Sequence, residues 1–187
     1  MLGLYGRYYC ARYRAVARLI PDGASVLDVC CGPAALYHRH LRSKAVRYTG
    51  LDANRRFIER LVRGGGRGHV RRLRGGEPLP AADYVIMQGS LYQFLPRAAP
   101  VVEQMMRAAR RQVIIAEPVR NLASSEVRWV AALARRCTDL GRAARSYRFT
   151  ERTLDAFFAP YRRQLVQSFL IPGGRDKVYV LGKNGPG

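Results

Sequence analysis

One stretch constrains this chain more than any other: Ser25 to Leu36, which reads Ser-Val-Leu-Asp-Val-Cys-Cys-Gly-Pro-Ala-Ala-Leu. Val26 to Cys30 is a short apolar run of the kind a parallel strand buried on both faces shows. Gly32-Pro33 then turns the chain into a helix expected from about Ala34 to Arg42. A second strand is expected from Val46 to Leu51, overlapping the motif Tyr48-Thr-Gly-Leu-Asp52, with the carboxylate of Asp52 at its tip. This order of elements admits few folds other than a sheet of parallel strands with helices packed on it.

The rest of the chain repeats the alternation. Leu4, Tyr8, Ala11, Ala15, Val16 and Leu19 fall at helical spacing, giving an N-terminal helix within residues 1–20 that Pro21-Asp22-Gly23 ends. Asn54 suits the N-cap of a helix through Phe57, Ile58, Leu61 and Val62, stopped by Gly64-Gly65-Gly66. A weak third strand is expected over His69 to Leu73, a fourth over Asp83 to Gln88 and a fifth over Gln112 to Ala116. Pro96 to Arg110 reads as the helix between the last two, with Val101, Val102, Met105 and Met106 inward. Asn121 to Leu140 reads as a basic amphipathic helix carrying Trp129, and residues 121–150 lie where such folds place a lid over a second substrate. Thr150 caps a short helix through Leu154, Phe157 and Phe158. Gln164 to Ile171 and Lys177 to Leu181 close the chain as an antiparallel hairpin. The expectation is a single α/β domain over 1–187: a three-layer αβα Rossmann-like fold whose mostly parallel sheet ends in that hairpin.

Composition narrows the function classes. The chain has 187 residues and a formal charge of +20, from thirty arginines and three lysines (Lys44, Lys177, Lys183). The arginines are spread along the whole sequence, so the charge reads first as a solvated basic shell. An anionic partner such as nucleic acid is the alternative. Cys10, Cys30, Cys31 and Cys137 show no Cys-x-x-Cys pair, hence neither a disulfide framework nor a zinc site. His38, His40 and His69 do not share a helix face, and no metal is expected. No apolar run reaches the roughly 18 residues a membrane span needs, and the N-terminus lacks a signal-peptide pattern, so a cytoplasmic protein is expected.

In such sheets ligands sit outside the carboxyl ends of the strands, at the topological switch point. Small residues at the first turn, Cys30, Cys31, Gly32 and Ala34, let backbone N–H groups approach a ligand closely. Asp28 just before the turn suits a cationic group and would repel a pyrophosphate. Asp52 can accept both hydroxyls of a ribose. The structural alternatives are an Asp28 that caps nearby backbone amides and an Asp52 that merely forms a turn.

These two motifs, Val26-Leu-Asp-Val-Cys-Cys-Gly-Pro-Ala-Ala-Leu and Tyr48-Thr-Gly-Leu-Asp52, resemble the first two motifs of class I S-adenosylmethionine-dependent methyltransferases. The resemblance continues through Asp83–Gln88, Gln112–Glu117 and the closing hairpin. It implies S-adenosylmethionine as cofactor, with its methionine part on the loop of Asp28, Cys30, Cys31, Gly32 and Ala34. Asp52 and the neighbouring Ala53 would face the ribose, and Gln88 and Gly89 the cofactor and acceptor. The family's loop is typically Gly-x-Gly-x-Gly, and here Cys30 and Ala34 replace its outer glycines. Arg74-Gly75-Gly76-Glu77 stands where many members offer an Asp to adenine.

Methyl transfer needs chiefly alignment and exclusion of water, with a general base only where the acceptor demands one. Glu117, as a base or a ligand for an acceptor amine, and Tyr92 are the candidates for catalytic contact, with Asn121 nearby; the alternatives are a Glu117 salt bridge to an arginine and plain packing of Tyr92. Tyr8, Tyr9 and Arg12 either cover the cofactor or pair its carboxylate, or lie on the surface. Gln88-Gly-Ser-Leu-Tyr92 is not the Asn/Asp-Pro-Pro-Tyr type of segment found in amino-methylating enzymes of adenine or glutamine. A small-molecule or lipid-like acceptor is therefore expected first. An RNA methyltransferase, a non-catalytic nucleic-acid-binding protein and an NAD-dependent oxidoreductase are the alternatives.

Overall fold

The computed structural model describes residues 9–73, 77–120 and 148–183. Helix α1 (Tyr9–Arg18) leads into β1 (Ser25–Val29), and a helical stretch with π geometry over Tyr37–Leu41 precedes β2 (Arg47–Asp52). Helix α2 (Arg55–Arg63), β3 (Arg67–Val70), β4 (Ala82–Gln88), a 3-10 turn (Leu91–Phe94), α3 (Ala99–Ala108) and β5 (Ala109–Pro118) follow. Then come α4 (Glu151–Phe158), β6 (Leu165–Leu170) and β7 (Asp176–Gly182).

The strands form one seven-stranded sheet in the order β3-β2-β1-β4-β5-β7-β6. Pairs from β3 to β5 are parallel; β7 inserts antiparallel between β5 and β6. Alternate strand residues serve opposite faces, as the period of two requires. Val113, Ile115, Val85 and Met87 pack with Val101, Val102 and Met105 of α3 and Leu154 and Phe158 of α4. Ile114, Ala116, Tyr84 and Ile86 pack instead with Tyr13, Val16 and Ala17 of α1 and with Leu61 of α2. Burial on both faces is why β4 and β5 read as nearly continuous apolar runs. The expected three-layer Rossmann-like methyltransferase fold is what the chain adopts. Among the described residues no helix is long and apolar enough to cross a membrane.

Several boundaries differ from expectation. The helix after the first turn opens to π geometry at Tyr37, with Arg42 N donating to Tyr37 O, and Tyr37 stacks on Tyr48 at 4.6 Å between ring centroids. Strand β3 starts two residues early because Arg67 pairs in register with Thr49, and its ladder ends as Arg71 N donates to Asp52 O. Helix α3 is shorter than its apolar pattern because β5 already begins at Ala109, paired with Ala82. The caps were legible: Asn54 accepts from Arg56 N, and Thr150 exchanges hydrogen bonds with Thr153.

Candidate functional site

Because β2, β1, β4 and β5 are neighbours, their carboxyl tips bring the expected residues together. The loop after β1 carries Cys30, Cys31, Gly32 and Ala34; Asp52 and Ala53 follow β2; Gln88 and Gly89 follow β4; Glu117 lies near the end of β5. The first loop is built from left-handed residues. Cys30, Gly32 and Ala34 have φ of 59°, 54° and 51°, so the two positions lacking glycine keep a backbone that favours it. Asp52 ties this loop to β2: its Oδ2 accepts from Gly32 N at 2.8 Å, and its Oδ1 accepts from Asn54 N at 2.8 Å. Each carboxylate oxygen has a second lone pair, so both retain acceptor capacity toward a diol. A Cβ built on Gly32 would meet nothing within 4 Å, so the space beside the loop is open.

Close approach of the loop to β2 depends on Gly50. A Cβ there would lie 2.6 Å from Leu61 Cδ2 and 2.8 Å from Cys31 Sγ. Cys31 N donates to Leu51 O at 3.0 Å, which locks the same junction.

Asp28 is buried, and Tyr48 Oη donates to its Oδ2 at 2.7 Å. Burial pushes its pKa up to about 7 against the Tyr48 hydrogen bond, and the charge of Asp52 adds to the rise. The thiol of Cys30 is pushed up to about 12 by burial and the neighbouring carboxylates, and Cys31 rises likewise. Both thiols are therefore protonated at neutral pH and are poor nucleophiles. Three acids, Asp28, Asp52 and Glu117, surround this end of the sheet, a setting that favours a cationic ligand group.

Glu117 is fully buried, and its Oε1 accepts from Ser90 N at 2.6 Å and Leu91 N at 2.7 Å. It thus pins the turn after β4. Burial raises its pKa to about 7 against those two backbone hydrogen bonds. Its Oε2 and the buried Oε1 of Gln88 have no hydrogen-bond partner among the described residues. Gly89 has φ of 61°, and a Cβ there would lie 3.0 Å from Arg12 Nη1. Arg12 in turn pairs with Asp176 at 3.2 Å, bridging α1 to the start of β7 across this end of the sheet. Tyr92 lies in the 3-10 turn with the Arg148 guanidinium 4.2 Å from its ring centroid. Tyr8, Asn121, Trp129 and most of the expected lid over 121–150 lie outside the described residues.

Sequence reasoning missed three partners: Tyr48 for Asp28, the Ser90 and Leu91 amides for Glu117, and Asp176 for Arg12. Only the first left a signal, since a tyrosine inside a buried strand needs a partner for its hydroxyl.

The family model described as "Methionine biosynthesis protein MetW" matches residues 10–140. The chain belongs to the MetW family. Among solved structures, this MetW-family chain is similar to the N-methyltransferase NodS from Bradyrhizobium japonicum WM9, with a TM-score of 0.67 at 12% identity over 98% of this chain and 100% of that one. A SAM-dependent methyltransferase from Aquifex aeolicus gives 0.64 at 13% identity, covering 94% and 93%. The magnesium protoporphyrin IX methyltransferase ChlM from Synechocystis PCC 6803, with bound SAH, gives 0.63 at 12% identity, covering 94% and 81%. Identities this low establish the fold that the MetW-family chain shares with these proteins. No curated protein matches its sequence.

Proposed function

We propose that this MetW-family protein is an S-adenosylmethionine-dependent methyltransferase acting on a small-molecule or lipid-like acceptor. The observation that carries the reading is the junction of Asp52 with the left-handed loop Cys30–Ala34, beside open space and among buried acids. The residues present fit the cofactor. Asp52 has acceptor capacity for ribose hydroxyls, the loop has no side chain filling the space beside Gly32, and Asp28 favours positive charge nearby. When bound, S-adenosylmethionine supplies a methyl group on a sulfonium, already activated for attack.

The chain's own residues then have to hold, orient and keep dry. The Gly32 amide and Asp52 fix the loop against β2. Glu117 fixes the turn that carries Gln88, Gly89 and Tyr92 toward the acceptor side, and its buried carboxyl has an affinity for a proton near neutrality. Tyr92 with Arg148 forms a flat cationic surface suited to a polar, anionic or planar acceptor. The family's description, a methionine biosynthesis protein, supports a small-molecule acceptor over a macromolecular one.

Calorimetry with S-adenosylmethionine, S-adenosylhomocysteine and NAD tests the cofactor. Both sulfur ligands should bind and NAD should not, and Asp52→Ala should weaken binding by about 1–3 kcal/mol. Binding of NAD alone would overturn the reading. Labelled methyl donor incubated with lipid, RNA, protein and small-molecule fractions of a lysate then identifies the acceptor, with label expected in the small-molecule or lipid fraction.

A further inference from the structure

We propose a second binding site, for a small phosphorylated anion, in the cleft at the amino ends of strands β1 to β5, at the opposite end of the sheet from Asp52. The cleft has a volume of about 230 Å³ and is lined in part by Ser25, Arg47, Thr49, Arg67, Pro80 and Arg110.

Its existence follows from an unusual connection. Chain passing from β3 to β4 must cross over β2 and β1, a crossover that a helix usually makes. Here residues 71–81 make it, and those described carry no helix. Leu79 is buried in the core, and Pro80 and Ala81 line the cleft. The cleft displays strand side chains that a crossover helix would normally bury.

Those side chains are basic and hydroxylic. Register places Thr49 beside Arg67 and Ser25 beside Arg47, and Arg47 and Thr49, two apart on β2, point to the same face. Arg110 enters from β5, next to the Ala82–Ala109 pair. Asp83 is the nearby carboxylate, and it is already occupied: its Oδ2 accepts from Ser25 N at 2.9 Å and Ser25 Oγ at 2.6 Å, with Arg47 Nη2 at 3.9 Å. Arg47 also donates to Gly23 O at 3.2 Å, which orients it. Among the described residues, the guanidiniums of Arg67 and Arg110 and the Thr49 hydroxyl make no hydrogen bond, although, after the Ser25 hydrogen bonds, the charge of Arg110 reaches Asp83 and helps hold its carboxyl below the ordinary value.

Three guanidiniums against one carboxylate leave a local positive charge, and the planar fork of arginine matches phosphoryl oxygens in paired hydrogen bonds. The volume lies below the roughly 300 Å³ at which pockets for drug-sized ligands begin. That size favours a phosphate or diphosphate group, free or carried on a small metabolite, over a dinucleotide.

The test is calorimetric titration of the full chain with pyrophosphate, with adenosine monophosphate and with a single-stranded RNA oligomer, at about 0.15 M salt to screen diffuse attraction. Pyrophosphate should bind one site with Kd below about 1 mM. The double variant Arg67→Gln/Arg110→Gln should weaken it roughly tenfold or more, the scale of lost charge-assisted hydrogen bonds. The control Arg152→Gln/Arg163→Gln, with the same charge change on exposed positions elsewhere, should leave it unchanged. S-adenosylhomocysteine binding should be the same in all three proteins, which shows that each is folded and separates this site from the cofactor reading. Tighter binding of adenosine monophosphate than of pyrophosphate supports the site and assigns it to a phosphorylated metabolite; the reverse supports it and assigns it to the free anion. No saturation by about 10 mM, an equal loss in the control pair, or RNA binding lost in the double variant while pyrophosphate fails to bind would each overturn the proposal.

Discussion

Tyr48 and Asp28, twenty residues apart, meet as a buried pair in which the phenol donates to the carboxylate at 2.7 Å. Asp28 lies two residues before the left-handed Cys30, so the carboxylate that leads into that loop is held by a residue of the neighbouring strand. Tyr48→Phe keeps the ring, including its stacking on Tyr37, and removes only the donor. It should cost about 1–3 kcal/mol, because a buried acceptor is left unpaired. The loss should be larger at pH 8 than at pH 5, since the Tyr48 hydrogen bond favours the charged form of Asp28. Urea unfolding at the two pH values measures both.

Asp28 and Glu117 each titrate near pH 7 in the folded chain, above the ordinary carboxylate range, chiefly because both are buried. Between roughly pH 4 and pH 7 the folded state therefore holds protons that the unfolded state has released. Their contribution is fully present below the unfolded pKa values and is lost as pH rises through about 7, so cofactor-free stability should fall across that window and level off above it. Glu117→Gln keeps an oxygen for the Ser90 and Leu91 amides without the charge. It should raise the melting temperature at pH 8 and leave it nearly unchanged at pH 4.5; calorimetric scans at both pH values decide.

Ala34 is fully buried yet has φ of 51°. Replacing it with glycine loses a methyl worth about 0.8 kcal/mol and adds about 0.5–1 kcal/mol of chain entropy, but relieves a left-handed conformation costing about 1–2 kcal/mol. Ala34→Gly should thus be close to neutral. Ala116→Gly, an equally buried methyl in β5 without a positive φ, should cost about 1–2 kcal/mol. Chemical denaturation of the two variants side by side checks that only the second is clearly destabilising.

Gly50→Ala places a methyl 2.6 Å from Leu61 Cδ2 and 2.8 Å from Cys31 Sγ. Overpacking of this kind should cost about 1–3 kcal/mol and push the loop Cys30–Ala34 from β2. Leu61→Ala alone should cost about 2–5 kcal/mol as a core truncation, and in its background Gly50→Ala should cost less than it does alone, because the two residues share one space. A double-mutant cycle in stability and in S-adenosylhomocysteine affinity should show coupling of about 0.5 kcal/mol or more.

By itself the sequence determined the sheet and the small-residue loop at the carboxyl end of its first strand. Val26–Val29, Val85–Met87 and Val113–Ala116 are apolar because parallel strands are buried on both faces, and that physical demand is written locally. The same holds for the caps Asn54 and Thr150 and for the small residues of the first loop. Tertiary structure decided what each polar residue does at that end. Asp28 pairs with Tyr48, Asp52 with the Gly32 amide, Glu117 with the turn at Ser90 and Leu91, and Arg12 with Asp176, 164 positions away. Such pairings follow from strand register and from which helix crosses which tip. No periodicity encodes them, because a hydrogen bond between distant segments constrains only two residues, whereas a buried strand constrains every residue along it.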